Sequence, residues 1–335
     1  MRVKVSNEYP EDPFLRQTPG GLGIWDDCQF FFDEAVTDCD FWVVYENLRK
    51  TEVANCPRSN TVLLTGEPPA VKKYPQKFTN QFGHIITCHR DIRGKDVSFS
   101  QTALPWHIGH SYRIKETKLI TKTYDELSRM GNIPKTKKVS VISSAKLMTE
   151  GHRKRLDIVM RLKDYFGDGI DIFGAGIYPI GDKWDAIADY KYHIVIENSA
   201  VKDYWTEKLT DCYLAQSYPI YFGCPNLTDY FPAGSFTPFN IYDFAGAVHI
   251  IEHVLVNNVY EKSLGDLILA RDLVLNTYNF FPVMTDFIHS HFDSEKAEKV
   301  KIKPYNKRKK TKFEKMFMKV LHDGIVFTKK LMGTL

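Results

Sequence analysis

Residues 192–225 read YHIVIENSAVKDYWTEKLTDCYLAQSYPIYFGCP, and this stretch decides the fold class. Its first five residues are apolar and β-branched enough to be a buried strand, which ends in Glu197-Asn198-Ser199. A helix is expected over 204–216, and a second strand over 218–222. Strand, helix and strand in close succession make a crossover unit, so the sheet is parallel. Outward from this unit the same alternation continues. Strands are expected over 138–144 and 169–173, and helices over 152–166 and 184–188. Further helices begin near 244 and 264. Leu156, Val159 and Leu162 recur at helical spacing in the 152–166 segment. The earlier part repeats the strand signal at 41–45, 60–64 and 84–87, each run closing in a polar or Gly/Pro loop. Two α/β halves facing one another across a cleft follow. In open sheets of this kind ligands sit at the carboxyl ends of the strands.

Composition fits that expectation. The chain has 335 residues, more than one core usually supports. Apolar residues make up 43% and charged residues 26%, which excludes a disordered chain. The six cysteines, Cys28, Cys39, Cys56, Cys88, Cys212 and Cys224, include no C-x-x-C pair, so neither a disulfide framework nor a zinc site is expected. Met1 to Val5 alternate like a strand and lack the apolar core of a signal peptide. No run of about 18 apolar residues could cross a membrane. A cytoplasmic location is the corresponding expectation.

The chemistry is concentrated in the quoted stretch. Tyr204, Glu207 and Lys208 stand at i, i+3 and i+4, one face of the expected helix. A helix N-terminus favours anions, and Lys208 would add a full charge beside a phosphate. Glu207 could accept from ribose hydroxyls, and Tyr204 could bind a phosphate oxygen or cover a ring. The competing reading is a plain amphipathic helix, with Leu209, Cys212, Tyr213 and Gln216 inward and both charges solvated.

The stretch resembles the signature of glycosyltransferase family 10, the α-1,3/4-fucosyltransferases. That signature is an apolar strand ending in F-E-N-S, then Y-x-T-E-K, then P-I/V-Y-x-G. Here it appears as Ile196-Glu197-Asn198-Ser199, Tyr204-Trp205-Thr206-Glu207-Lys208 and Pro219-Ile220-Tyr221-Phe222-Gly223. Ile196 replaces the usual Phe, apolar for apolar. The resemblance implies donor-binding roles for Glu197, Asn198, Tyr204, Glu207 and Lys208. It also implies a diphosphate-binding arginine at the start of the first helix of the second half. Arg155 gives the better register to the apolar residues that follow, and Arg153 remains open. A catalytic carboxylate is implied after a strand of the first half. Glu67, in Thr65-Gly66-Glu67-Pro68-Pro69, ends the 60–64 strand, and Pro68 biases it toward extended backbone.

The resemblance implies a GT-B architecture of two facing Rossmann-like domains. Residues 1–135 would bind acceptor and residues 136–298 the GDP-sugar. Residues 299–335 would form a basic amphipathic tail. The implied activity is inverting transfer of L-fucose from GDP-β-L-fucose to a glycan hydroxyl, with no metal or other cofactor required. The alternatives are a related enzyme using another GDP-deoxysugar and a non-catalytic nucleotide- or glycan-binding module.

From Lys299 to Lys330 there are twelve Lys or Arg against Glu314 and Asp323. Phe313, Met316, Phe317, Val320 and Leu321 share one helical face, so the tail suits an anionic membrane surface, or packs back on the enzyme. Nucleic acid is not an expected partner, since the fold shows no stripe of basic and aromatic residues. Trp106 and His107 could line the acceptor side. Residues 18–23 form a glycine-rich loop, and Asp38-Cys39-Asp40 reads as a turn before a strand.

Overall fold

The computed structural model describes residues 1–8, 13–32, 35–94, 96–111, 120–143 and 150–305, apart from the side chain of His152. The first half is built on strands β1 (Arg2–Asn7), β2 (Ile24–Trp25), β3 (Cys28–Phe31) and β4 (Phe41–Tyr45). After β5 (Glu52–Cys56), which stands apart, come β6 (Thr61–Leu64), β7 (His84–Thr87) and β8 (Val97–Phe99). They form a sheet in the order β2-β3-β1-β4-β6-β7-β8, parallel except for the β2–β3 pair. β4 and β6 are buried on both faces, which is why they are continuous apolar runs and not alternating ones. Two short helices, α1 (Gln76–Thr79) and α2 (Tyr124–Arg129), flank this half. Thr123 caps α2 and Glu126 completes the capping box.

The second half carries β9 (Lys137–Ile142), β10 (Ile170–Phe173), β11 (Tyr190–Ile196), β12 (Tyr218–Phe222) and β13 (Thr237–Pro238). These run in the order β10-β9-β11-β12-β13, all parallel. The crossovers are α3 (Glu150–Phe166), α4 (Trp184–Ile187) and α5 (Glu207–Leu214). α6 (Phe244–Val256), α7 (Val259–Lys262) and α8 (Leu264–Asn276) close this side. Ile158, Val159 and Leu162 of α3 enter the core against β9, β10 and β11. The two parallel α/β sheets belong to one compact unit, residues 1–303. This is the expected arrangement of two Rossmann-like halves.

Three local expectations are corrected. The helix expected from Tyr204 begins at Glu207, because Thr206 is its N-cap, the side chain accepting from the Lys208 N–H at 3.3 Å. Tyr204 therefore precedes the helix and shares no helical face with Glu207 and Lys208. The boundary at 298 also moves. α9 (Phe280–His291) packs Phe280, Phe281, Met284 and Ile288 into the core of the first half. Asn279, its N-cap, donates to the Gln17 carbonyl at 2.6 Å. Finally, β14 (Glu298–Ile302) pairs antiparallel with β5, burying Val300 and Ile302 and leaving Lys299 and Lys301 outside. The alternation of period two marks an edge strand guarded by lysines, where the charge count alone suggested tail. The amphipathic segment after Tyr305 lies outside the described residues. All six cysteines are free and buried.

Candidate active site

Two adjoining cavities of about 300 and 280 Å³ lie where the strands of both sheets end. They share His107, Asn198, Glu207 and Lys208 in their walls. The first runs under the second sheet, past Arg155 and Lys183 to His193 on β11. The second opens toward the first sheet, past Tyr204, to Glu46 and Glu67. Residues that follow β4, β6 and β11 thus meet at one opening, as the strand-end rule requires.

The second-half wall is built around the start of α5. Glu197, at the end of β11, is fully buried and accepts from the Thr206 N–H at 2.8 Å and from its hydroxyl at 2.8 Å. Lys208 Nζ lies 3.3 Å from the same carboxylate, 2.9 Å from Thr206 Oγ1 and 3.1 Å from Glu207 Oε1. Burial alone would raise the Glu207 carboxyl, but the Lys208 and Lys183 ammonium groups outweigh it and hold the group well below the usual carboxylate range. Burial would lower the Lys208 ammonium, but Glu207 and Glu197 raise it instead. Both side chains therefore stay charged at neutral pH. Arg155 is buried, and its Nη1 donates to Asn198 Oδ1 at 2.8 Å.

The first-half wall is a pair of carboxylates with different surroundings. Glu46 is buried, with φ of 68°. Its Oε1 accepts from the backbone N–H groups of Gly66 and of Glu67, the latter at 2.7 Å, and from the Tyr74 hydroxyl at 2.6 Å. Lys72 donates to its other oxygen. A Cβ on Gly66 would stand 2.8 Å from Glu46 Oε1, so only glycine lets the loop approach this closely. The Glu67 backbone is held at both ends, since His89 Nε2 donates to its carbonyl at 2.7 Å. Its carboxylate has no hydrogen-bond partner among the described residues and borders the cavity. Burial, with Glu46 and Glu207 nearby, pushes the Glu67 carboxyl up against the opposing pull of Lys208 and Lys72.

His107 links the two walls. Asp211, fully buried on α5, accepts from the backbone N–H groups of His107 and Ile108 at 2.9 Å each and from Lys183 Nζ at 2.8 Å. Burial and Lys183 push the His107 imidazole down to about 4, so it is neutral at neutral pH.

Of the residues singled out from sequence, Glu67, Arg155, Asn198, Tyr204, Glu207 and Lys208 line the two cavities. Arg153 is exposed and lines neither. Glu197 lines neither as well; it holds the turn into α5 from behind. Sequence reasoning missed Glu46, Lys183 and Asp211. Glu46 stands directly after a buried strand, as Glu67 stands three residues after one, and could have been found that way.

Residues 133–262 match the family model described as glycosyltransferase family 10 (fucosyltransferase) C-term. The chain carries a glycosyltransferase family 10 domain. Within that domain fall Arg155, Asn198, Tyr204, Glu207 and Lys208; Glu67 and His107 come from outside it. A stretch of 96 residues is 27% identical to the α-(1,3)-fucosyltransferase FucT of Helicobacter pylori, covering 29% of this chain and 20% of that protein. A stretch of 50 residues is 46% identical to an α-(1,4)-fucosyltransferase of Arabidopsis thaliana, covering 15% and 12%. The matched stretches thus span a fifth or less of these relatives. A crystal structure of an α1,3-fucosyltransferase aligns over 84% of this chain and 91% of that one, at 17% identity and a TM-score of 0.48.

Proposed function

We propose that this family 10 protein is an inverting glycosyltransferase that moves L-fucose from GDP-β-L-fucose to a glycan hydroxyl. One observation carries the reading. A carboxylate from the first half with no hydrogen-bond partner among the described residues, Glu67, borders the same cavity as Lys208, a cation of the second half. An inverting displacement needs a base on one side of the sugar and charge stabilisation on the other.

In this reading GDP lies along the second-half wall. Arg155 grips diphosphate oxygens with its planar fork. The Lys208 ammonium exchanges Glu207 for a diphosphate oxygen, and Glu207 is released to accept from ribose hydroxyls. Tyr204 and Asn198 border the sugar. Glu67 removes the proton of the acceptor hydroxyl, whose oxygen attacks the anomeric carbon. The bond from that carbon to the β-phosphate oxygen breaks, and GDP leaves with the electron pair. Preorganised charge of this kind is worth about 3 kcal/mol per donor group. With Arg155 and Lys208 in that role, the reaction runs without a metal ion.

The test is turnover of GDP-fucose by the purified protein on a panel of lactosamine-type and lipopolysaccharide acceptors, with and without EDTA. The expected product has the α-anomeric configuration by NMR, at a rate EDTA leaves unchanged. A strict requirement for another GDP-deoxysugar, or GDP binding without transfer to any acceptor, would replace this reading. No helix among the described residues is long and apolar enough to cross a membrane. The reading extends to cytoplasmic work at an anionic membrane surface through residues 306–335. Undiminished binding to anionic liposomes after their deletion would remove that part.

A further inference from the structure

Beside the proposed base, the loop after β7 carries two adjacent residues that reach in opposite directions. His89 is buried and donates from Nε2 to the backbone carbonyl of Glu67 at 2.7 Å. Its ring meets Tyr74 edge-on at 5.1 Å between centroids, and Tyr74 in turn donates to Glu46. His89 is thereby fixed to the carboxylate-bearing loop. The next residue, Arg90, crosses to the second half. Its guanidinium lies 4.4 Å from the Phe99 ring centroid and forms an ion pair with Asp203.

Asp203 directly precedes Tyr204, and it is held on every side. It is buried, with φ of 62°, a conformation that aspartate tolerates better than most residues. Its N–H donates to Asn226 Oδ1 at 2.9 Å, and Asn226 Nδ2 returns a bond to its carboxylate at 2.8 Å. The Tyr230 hydroxyl donates to the same carboxylate oxygen at 2.7 Å. The Asp203 carboxylate is thus a rigid anchor on the donor side, and Arg90 is a permanent cation that grips it.

We infer that His89-Arg90 is a clasp between the two halves, which sets the distance from the Glu67 carboxylate to the donor wall by tying Glu67 through His89 and Tyr204 through Asp203. The inference rests on the proposed fucosyl transfer for its catalytic consequence, though not for the clasp itself. His89 and Arg90 are positioning residues; neither touches the reacting atoms. A displacement of about 1 Å between base and electrophile can cost a hundredfold in rate, so a device that fixes this gap acts on turnover more than on donor binding.

The test uses the full chain with two exposed lysines changed to cysteine for spin labelling, Lys73→Cys in the first half and Lys154→Cys in the second. The six native thiols are buried. Distances between the labels are measured by pulsed EPR in this background and with Arg90→Ala, Arg90→Lys, Asp203→Asn or Arg90→Ala/Asp203→Asn. Fucose turnover and GDP affinity are measured on the same substitutions in the unlabelled chain.

The clasp predicts that Arg90→Ala broadens the distance distribution at least twofold and lowers kcat at least tenfold. GDP affinity should stay within threefold. Arg90→Lys should keep the narrow distribution and most of the turnover. The double variant should be no worse than Arg90→Ala, because both changes break one contact. An unchanged distribution in Arg90→Ala would overturn the clasp, and a broadened one with full kcat would overturn its catalytic role. If the unaltered protein transfers no fucose, the proposed function fails, and the label distances alone still decide whether the clasp exists.

Discussion

Glu46 and Glu67 follow neighbouring parallel strands, β4 and β6, and both border the same cavity. Glu46 Oε1 already accepts from two backbone N–H groups and the Tyr74 hydroxyl, and Lys72 holds Oε2. The Glu46 oxygens are thus already engaged, whereas the Glu67 carboxylate borders the cavity with no hydrogen-bond partner among the described residues. Burial, Glu46 and Glu207 together raise its pKa, which brings a carboxylate closer to the working range of a general base. The sign of the pH dependence follows. Glu67 must be ionised to act, so transfer should fall as pH drops through its raised pKa. The acid limb of kcat/KM should lie above about 4.3, the ordinary glutamate value. A limb at or below that value, measured with saturating acceptor, would contradict the assignment. Glu67 was singled out because the resemblance implies a carboxylate after a strand of the first half, and the strand end and following proline supplied the position. That Glu46 is its scaffold was not legible in the sequence, since both N–H groups it holds come from a loop some twenty residues away.

At the scale of elements, α5 shows how a helix start becomes a binding wall. Thr206 caps the helix and at the same time donates to Glu197, so the end of β11 and the beginning of α5 are locked together. The Lys208 ammonium closes the arrangement. Replacing it with alanine removes a cation from the cavity and also leaves the wholly buried Glu197 without its counter-charge. Breaking a buried pair from one side typically costs about 3 to 5 kcal/mol. Lys208→Ala should therefore weaken GDP binding and lower unfolding stability by about 3 kcal/mol in urea titrations, and adding Glu197→Gln should restore part of the stability but none of the GDP affinity. Unchanged stability in the single variant would show that Glu197 does not depend on Lys208. The motif was legible through its resemblance to the family signature; its helical face was not, because a cap at Thr206, two residues after Tyr204, overrides the apparent periodicity. The alternation that makes 298–302 a strand was likewise hidden by its lysines.

The whole chain starts in the first half, builds the second, and returns through α9 and β14. The alternation of strands and helices made the two sheets legible from sequence. The return was not, because Phe280, Phe281, Met284 and Ile288 are ordinary apolar residues, and the ring partners of the two phenylalanines, Phe14, Phe30, Phe32 and Tyr45, lie more than 200 positions away. Because the proposed base and the proposed donor wall belong to different halves, they can be separated experimentally: one can be disabled while the other still binds. Glu67→Gln keeps shape and volume, and at neutral pH it removes only a charge that burial disfavours. A raised folded-state pKa means that protonated Glu67 favours folding below the unfolded-state pKa, an advantage lost as pH rises through the folded value. The variant should therefore melt no lower than the unaltered protein at pH 7.5. The direct measurement is fucose turnover and GDP affinity of Glu67→Gln, side by side with the unaltered protein. Turnover lowered at least a hundredfold with GDP affinity within threefold is the predicted result; turnover within threefold of the unaltered protein would contradict it.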